Sequence, residues 1–299
     1  QPYMKFPRVQ RFGRGAAAAF AVFACAGLSF ADLLESGFKK IAAGDFDFTD
    51  PNNWHAEIID GVFAHTPLGV QHIVFGEWAE TPSEGLKFNL GAGETSPTLV
   101  LRGAGGAQVL TLFGDVQVLG SNAASITFGS ADANQALDLE LADDRIFKVE
   151  ATNTLTILNS IFDNYDGYAL KKKGDGRLVL VGAANFSGGT QVLEGTLAVA
   201  GENALPTDGT VAVSAGAALA IEANQTLAGI GGEGVVEIFD GRLLELYTTD
   251  DLCFDGTITG AGALRFYGDS GGTLTLKGDN TYGGGTWIDA GTVYALNAS

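Results

Sequence analysis

Three kinds of side chain in this sequence could carry chemistry: histidines, paired carboxylates and cysteines. His55, His65 and His72 lie close together, but spacings of 10 and 7 do not match the short spacings that bring two imidazoles to one zinc ion, so solvated turn positions are expected. Asp143-Asp144 and Asp250-Asp251 are carboxylate pairs, with Asp163 and Asp166 not far from the first. Such pairs do acid–base work on glycosidic bonds or hold calcium. For catalysis, Asp143, Asp144, Asp163 and Asp166 would have to converge in one cleft beside a basic residue; on separate turns they serve as turn acceptors and edge charges. Cys25 and Cys253 are too few for a disulfide framework or a zinc site of spaced pairs. Trp54, Trp78 and Trp287 supply rings that stack on sugars, although burial or capping is the expected use. Gly103-Ala104-Gly105-Gly106 and Gly229-Ile230-Gly231-Gly232 precede no helical pattern, so they read as corners rather than phosphate cradles. No catalytic, cofactor-binding or metal-ligating residue is assigned.

The elements that would have to position these groups are strands. The 299 residues include 43 glycines and only 7 prolines, with 46% hydrophobic and 17% charged residues. Glycine costs about 1 kcal/mol against alanine inside a helix, and here it interrupts short runs of Val, Thr, Phe and Leu. Apolar segments recur at Thr98 to Arg102, Val109 to Phe113, Ile146 to Val149, Thr154 to Leu158, Arg177 to Val181, Thr210 to Val213 and Thr273 to Lys277, separated by Gly, Asn and Asp. Leu178 and Leu180 alternate with Val179 and Val181, and Leu274 and Leu276 with Thr275 and Lys277, as one buried face requires. The formal net charge of −18 repels a phosphate backbone, so no nucleic-acid partner is expected.

The segment 1–31 reads as an address. Lys5, Arg8, Arg11 and Arg14 precede an apolar and small run from Gly15 to Phe30, and Ser29-Phe30-Ala31 is a small-x-small cleavage site. The pattern predicts a signal peptide, with Met4 as the start; a spanning helix and a lipid anchor on Cys25 are the alternatives. Cleavage after Ala31 would remove those four basic residues and no acid, taking the net charge from −18 to −22. Cys253 would remain as a lone cysteine, expected as a small buried residue. Asp32 to Ala43 carries some helical spacing and is expected as a short lead-in.

Internal repetition is the strongest signal. A shift of 96 positions places Leu178 on Leu274, Leu180 on Leu276, Gly182 on Gly278, Gly188 on Gly284, Gly189 on Gly285, Thr190 on Thr286, Gly195 on Gly291 and Thr196 on Thr292. Phe186 falls on Tyr282, Val192 on Ile288 and Leu197 on Val293, without a gap. Gly-Thr-apolar strand starts recur at Gly195, Gly209, Gly256, Gly272 and Gly291 at irregular intervals. A coil of stacked strands accounts for this: each rung cannot bury its apolar face alone, neighbours at about 4.8 Å can, and glycine supplies the sharp corners.

The stretch from Leu170 through Gly174, Gly176 and Leu178 to Gly182, followed by Asn185-Phe186-Ser187-Gly188-Gly189-Thr190 and Gly195-Thr196-Leu197, resembles the autotransporter-associated β-strand repeat, or passenger-associated transport repeat. A second copy runs from Leu274 to Gly278, Asn280 and Tyr282, then Gly284-Gly285-Thr286 and Gly291-Thr292. Arg177 and Trp287 depart from the small or polar residues usual there, and the first copy has Ala184-Asn185-Phe186 where the second has Asn280-Thr281-Tyr282. Phe48 to Trp54, with Ile73 to Gly76, looks like the opening segment that precedes such repeats. The resemblance implies an all-β fold, a right-handed parallel β-helix (β-solenoid), exported by the type V route to the surface of a Gram-negative cell. It also implies repeats that assist secretion and folding, a non-enzymatic display or adhesion role toward a host or surface ligand, and a C-terminal outer-membrane barrel that this sequence does not contain. A carbohydrate-active β-helix enzyme, or a surface protein with another anchor, is the alternative; the Gly-His-Gly and Arg-Ile-Lys segments of polygalacturonase-type enzymes are absent. The expected organisation is a signal region at 1–31, a lead-in and cap at 32–75, and a solenoid at 76–299 with repeats at 170–199 and 272–296. The solenoid pattern runs on to Ser299, so a longer reading frame is expected.

Overall fold

The computed structural model describes residues 107–120 and 123–296 throughout, and before them the strands Gly44–Asp47, Val62–Phe63, Val70–Phe75, Ala79–Glu80, Leu86–Asn89 and Thr98–Gly103. The signal segment and the lead-in at 32–43 lie outside the described residues.

The chain winds as a parallel β-solenoid with three faces. The first face is a ten-stranded sheet and the third an eleven-stranded one; the second is split into sheets of five and four strands. A typical turn runs along Ser125–Phe128 on the first face, Leu137–Leu141 on the second and Arg145–Val149 on the third. It then returns to the first at Thr154–Ile157, parallel to its start. Strands Gly44–Asp47, Val62–Phe63 and Val70–Phe75, in the stretch read from sequence as a lead-in, pair into the first and third faces. The strand segments expected at Thr154, Arg177, Thr210 and Thr273 begin at those residues.

Alternation in each strand sends every second side chain inward, and parallel pairing then stacks like on like. Ile126, Leu155, Leu178, Leu197, Leu219, Val236 and Ile258 form one such column on the first face, all essentially inaccessible to water. Each leucine so buried contributes about 1.5–3 kcal/mol over its exposed state. Phe128, Ile157, Leu180, Val199, Ile221 and Ile238 form the parallel column two residues on.

The rungs are unequal. On the first face Thr154 lies beside Ser125, Arg177 beside Thr154 and Thr196 beside Arg177, so each of these turns is shorter than the one before it. The residues beyond those needed for three short strands go into corner loops, which leave the columns undisturbed. Between Val199 and Thr210 the chain crosses the second face without a strand, which is why that face is split. The buried side-chain amide of Gln225 spans the gap: its Oε1 accepts from the Leu205 N–H and its Nε2 donates to the Leu205 carbonyl, both at 3.1 Å. A side chain thus completes a ladder where no strand is available.

Gly229–Gly232, read from sequence as a corner, is instead a strand of the third face, paired with Thr210–Val213. The sequence pattern failed there because the glycines replace the small outward residue and a rung-end turn, while Ile230 alone carries the inward position beside Val211.

Candidate functional site: the repeat turn

Each repeat contains one closed turn of the coil. Leu178 on Arg177–Leu180 pairs with Leu197 on Thr196–Val199, and Leu274 on Thr273–Leu276 pairs with Val293 on Thr292–Ala295. The two closures are equal in length. The 96-position relation nevertheless does not superpose faces. Stacked partners run Leu178, Leu197, Leu219, Val236 and Ile258 along the first face, four turns on, after which the chain crosses the second face and reaches Leu274 on the third. The two copies are offset by four turns and two faces. A repeat therefore encodes a turn and not a position on the circumference.

Equivalent glycines meet equivalent constraints. A Cβ at Gly182 would lie 2.2 Å from the Asn159 carbonyl oxygen, and one at Gly278 2.1 Å from that of Gly256. Gly195 and Gly291 combine positive φ (+63° and +82°) with the same crowding, against the carbonyls of Gly174 and Gly272. Only glycine satisfies both conditions. Gly188 and Gly284 rest on the rung below, and Gly189 and Gly285 turn at positive φ beside them. Phe186 is buried, and Tyr282 packs half-buried on the core. Thr190 is buried, whereas Thr286 and Thr292 are exposed on the last described rung.

The first copy contains a group that sequence reasoning missed. Lys172 occupies an inward position of the third face, between Phe147 and Val192, and is fully buried. Its stem fills the column and its ammonium turns into the corner, donating to the carbonyls of Lys173 (2.9 Å), Gly174 (2.5 Å) and Glu194 (3.0 Å). The Glu194 carboxylate in return accepts from the Gly174 N–H at 2.7 Å. Burial pushes the Lys172 pKa down to about 8, while the charges of Glu194 and Asp175 oppose the shift. Two successive corners are thereby stapled together. Position 268, the counterpart of Lys172 in the second copy, is a glycine packed near the Phe266 ring, so that copy has no such staple.

The carboxylates considered for catalysis are occupied in backbone roles. Asp163 is buried; its oxygens accept from the N–H groups of Tyr165, Gly167, Tyr168 and Ser187 and from the Ser187 hydroxyl. Burial alone would raise its pKa, but those donors outweigh it and hold the carboxyl below the usual value. They also stabilise a turn in which Asn164, Tyr165 and Gly167 all have positive φ. Asp144 accepts from the Ala169 N–H and pairs with Lys171 at 2.6 Å, and the Lys171 contact lowers its pKa. Asp143 accepts from the Asp144 N–H, and Asp166 is exposed. Asp251 accepts from the Thr273 hydroxyl. Asp163 and Asp144 thus sit at one corner, accepting from the successive N–H groups of Tyr168 and Ala169, with Lys171 paired to Asp144.

Among the described residues no group of three or more His, Cys, Asp and Glu side chains could hold a metal ion. His55, His65, Trp54 and Trp78 lie outside the described residues, and His72 is described only as backbone of the strand Val70–Phe75. Two expectations of burial are corrected. Cys253 and Trp287 are both exposed, because each takes an outward position, beside Thr275 and Arg265 respectively.

The passenger-associated-transport-repeat family matches residues 170–199 and 269–295, the second match beginning a little earlier than the sequence pattern suggested. Over 130 residues the chain is 33% identical to the adhesin BmaC autotransporter of Brucella suis biovar 1 (strain 1330). That stretch is 43% of this chain and 4% of the relative, so the chain matches a small part of a much longer protein. No solved structure matches.

Proposed function

We propose that this chain, a parallel β-solenoid carrying two passenger-associated transport repeats, is part of an exported passenger displayed on a Gram-negative cell surface. Its role there is display or adhesion toward a host or surface ligand, and its repeats assist secretion and folding. A separate C-terminal outer-membrane barrel would anchor it. The observation that carries this reading is the self-closing turn. Leu178 and Leu197, or Leu274 and Val293, bring a strand back beside its own start within a single short turn. The loop to be closed is short, and each finished rung offers a complete edge to the next. A chain emerging end-first can therefore add rungs in order without waiting for distant partners. The use of Asp144 and Asp163 as backbone acceptors supports a non-enzymatic role.

The test is display. Fused ahead of an outer-membrane barrel in a Gram-negative host, the chain is expected to become accessible to protease added to intact cells. Deleting the turn 177–195 is expected to lower the surface-exposed fraction. Retention of the whole chain inside the cell would overturn the reading.

A further inference from the structure

The outer surface of the second face carries an aromatic strip over three successive rungs, Leu243–Thr248, Ala263–Gly268 and Thr286–Ala290. Tyr247 and Tyr267 are paired in register and stack with ring centroids 4.8 Å apart and planes 8° apart. In the neighbouring outward column, Glu245, Arg265 and Trp287 stand side by side. Tyr247 is 49% exposed, and Trp287 takes the outward position beside Arg265. Arg265 is held from both sides, by Glu245 at 3.0 Å and by Asp289 through its Nε. Asp289 reaches it because the strand bulges between the partners of Phe266 and Tyr267, leaving Asp289 as the extra residue.

We propose that this strip binds an uncharged glycan; the inference rests on the display reading above and names the chemistry of its ligand. Charge and the chemistry of the rings select the occupant. With a net charge of −18, a second copy of the chain or an anionic polymer would be repelled. The three rungs at about 4.8 Å span about 10 Å between their outer strands. Two or three sugar rings fit that length. The C–H faces of sugar rings pack on Trp287 and the tyrosines. The guanidinium and carboxylates, already neutralised by one another, offer hydroxyl groups fixed donors and acceptors without burying an unpaired charge. The rings are pre-positioned by stacking and by the sheet, so little side-chain freedom is lost on binding.

The purified chain is run through native gels containing glucomannan, laminarin or dextran, with polygalacturonate as the charged control. Retardation by at least one of the three neutral polymers is expected, with affinity at least about tenfold lower in Trp287→Ala and in Tyr267→Ala. Tyr165→Ala, at an 82% exposed site outside the strip, should bind as wild type. Melting temperatures of the variants are compared to confirm folding, and Tyr247→Ser provides a third strip variant, on the more exposed ring. No retardation by any neutral polymer overturns the proposal. So does retardation unaffected by the strip variants, equal retardation by polygalacturonate, or a concentration-dependent dimer that Trp287→Ala abolishes. Protease accessibility on intact cells separates the two readings: a displayed chain that ignores glycans sinks only this inference, and a glycan-binding chain that is never displayed sinks only the display reading.

Discussion

Leu178 and Leu274 hold the same place in their repeats yet line different faces of the solenoid, the first and the third. Gly182 and Gly195, like Gly278 and Gly291, follow them around the circumference, each crowding a carbonyl of the rung below. What the repeat preserves is the relation of a turn to its predecessor. The relation is the same on every face because all faces stack strands at one spacing.

Charge placed in the first-face column is expected to be severe. Leu178→Asp would put a carboxylate between Leu155 and Leu197 with no partner. Limited proteolysis should cut the neighbouring rungs under conditions that spare the wild type. Val179→Asp, on the outward side of the same strand, should leave the digestion pattern unchanged.

Substitution at Gly182 should cost more than at Gly216. Both replacements are alanine, but a Cβ at Gly182 would lie 2.2 Å from the Asn159 carbonyl oxygen, whereas Gly216 has φ of +81° and open space around it. Gly216→Ala therefore bears only the left-handed backbone cost, about 1–2 kcal/mol. Gly182→Ala carries no left-handed cost but must displace the backbone of the rung below. Denaturant midpoints should rank wild type, Gly216→Ala, then Gly182→Ala.

Lys172 makes stability depend on alkaline pH. Its folded pKa of about 8 lies below the ordinary 10.5, so the unfolded chain holds this proton more tightly. The proton therefore opposes folding below about pH 8, and the opposition fades as pH rises toward 10.5. Lys172→Met removes that dependence. The difference in unfolding free energy, wild type minus variant, should climb between about pH 8 and 10.5; a flat difference would contradict the buried ammonium.

Asp163 makes the opposite linkage. Its depressed carboxyl contributes stability above about pH 4 that is lost as pH falls through the folded pKa. Exchange of the Gly167, Tyr168 and Ser187 amides, taken relative to the intrinsic rate at each pH, should become faster on acidification. Asp163→Ala should show the fast exchange at neutral pH, with a loss of about 1–3 kcal/mol for the unsatisfied donors.

Alternation and glycine spacing sufficed to place the strands beginning at Thr154, Arg177 and Thr273, to turn Leu178, Leu180, Leu274 and Leu276 inward, and to mark the two repeats. These are local properties, visible within a short window. Which face each strand joins, and what lies beside it, came only with the tertiary structure. Rungs as unequal as Ser125 to Thr154 and Arg177 to Thr196 on one face cannot be phased from sequence, so the internal repeat hides a rotation of two faces. The same ignorance of neighbours concealed the staple at Lys172, the cap made by Asp163 and the outward settings of Cys253 and Trp287. A window of sequence contains alternation, but the carbonyls that receive an ammonium, or the ring that stacks on another, belong to a different rung.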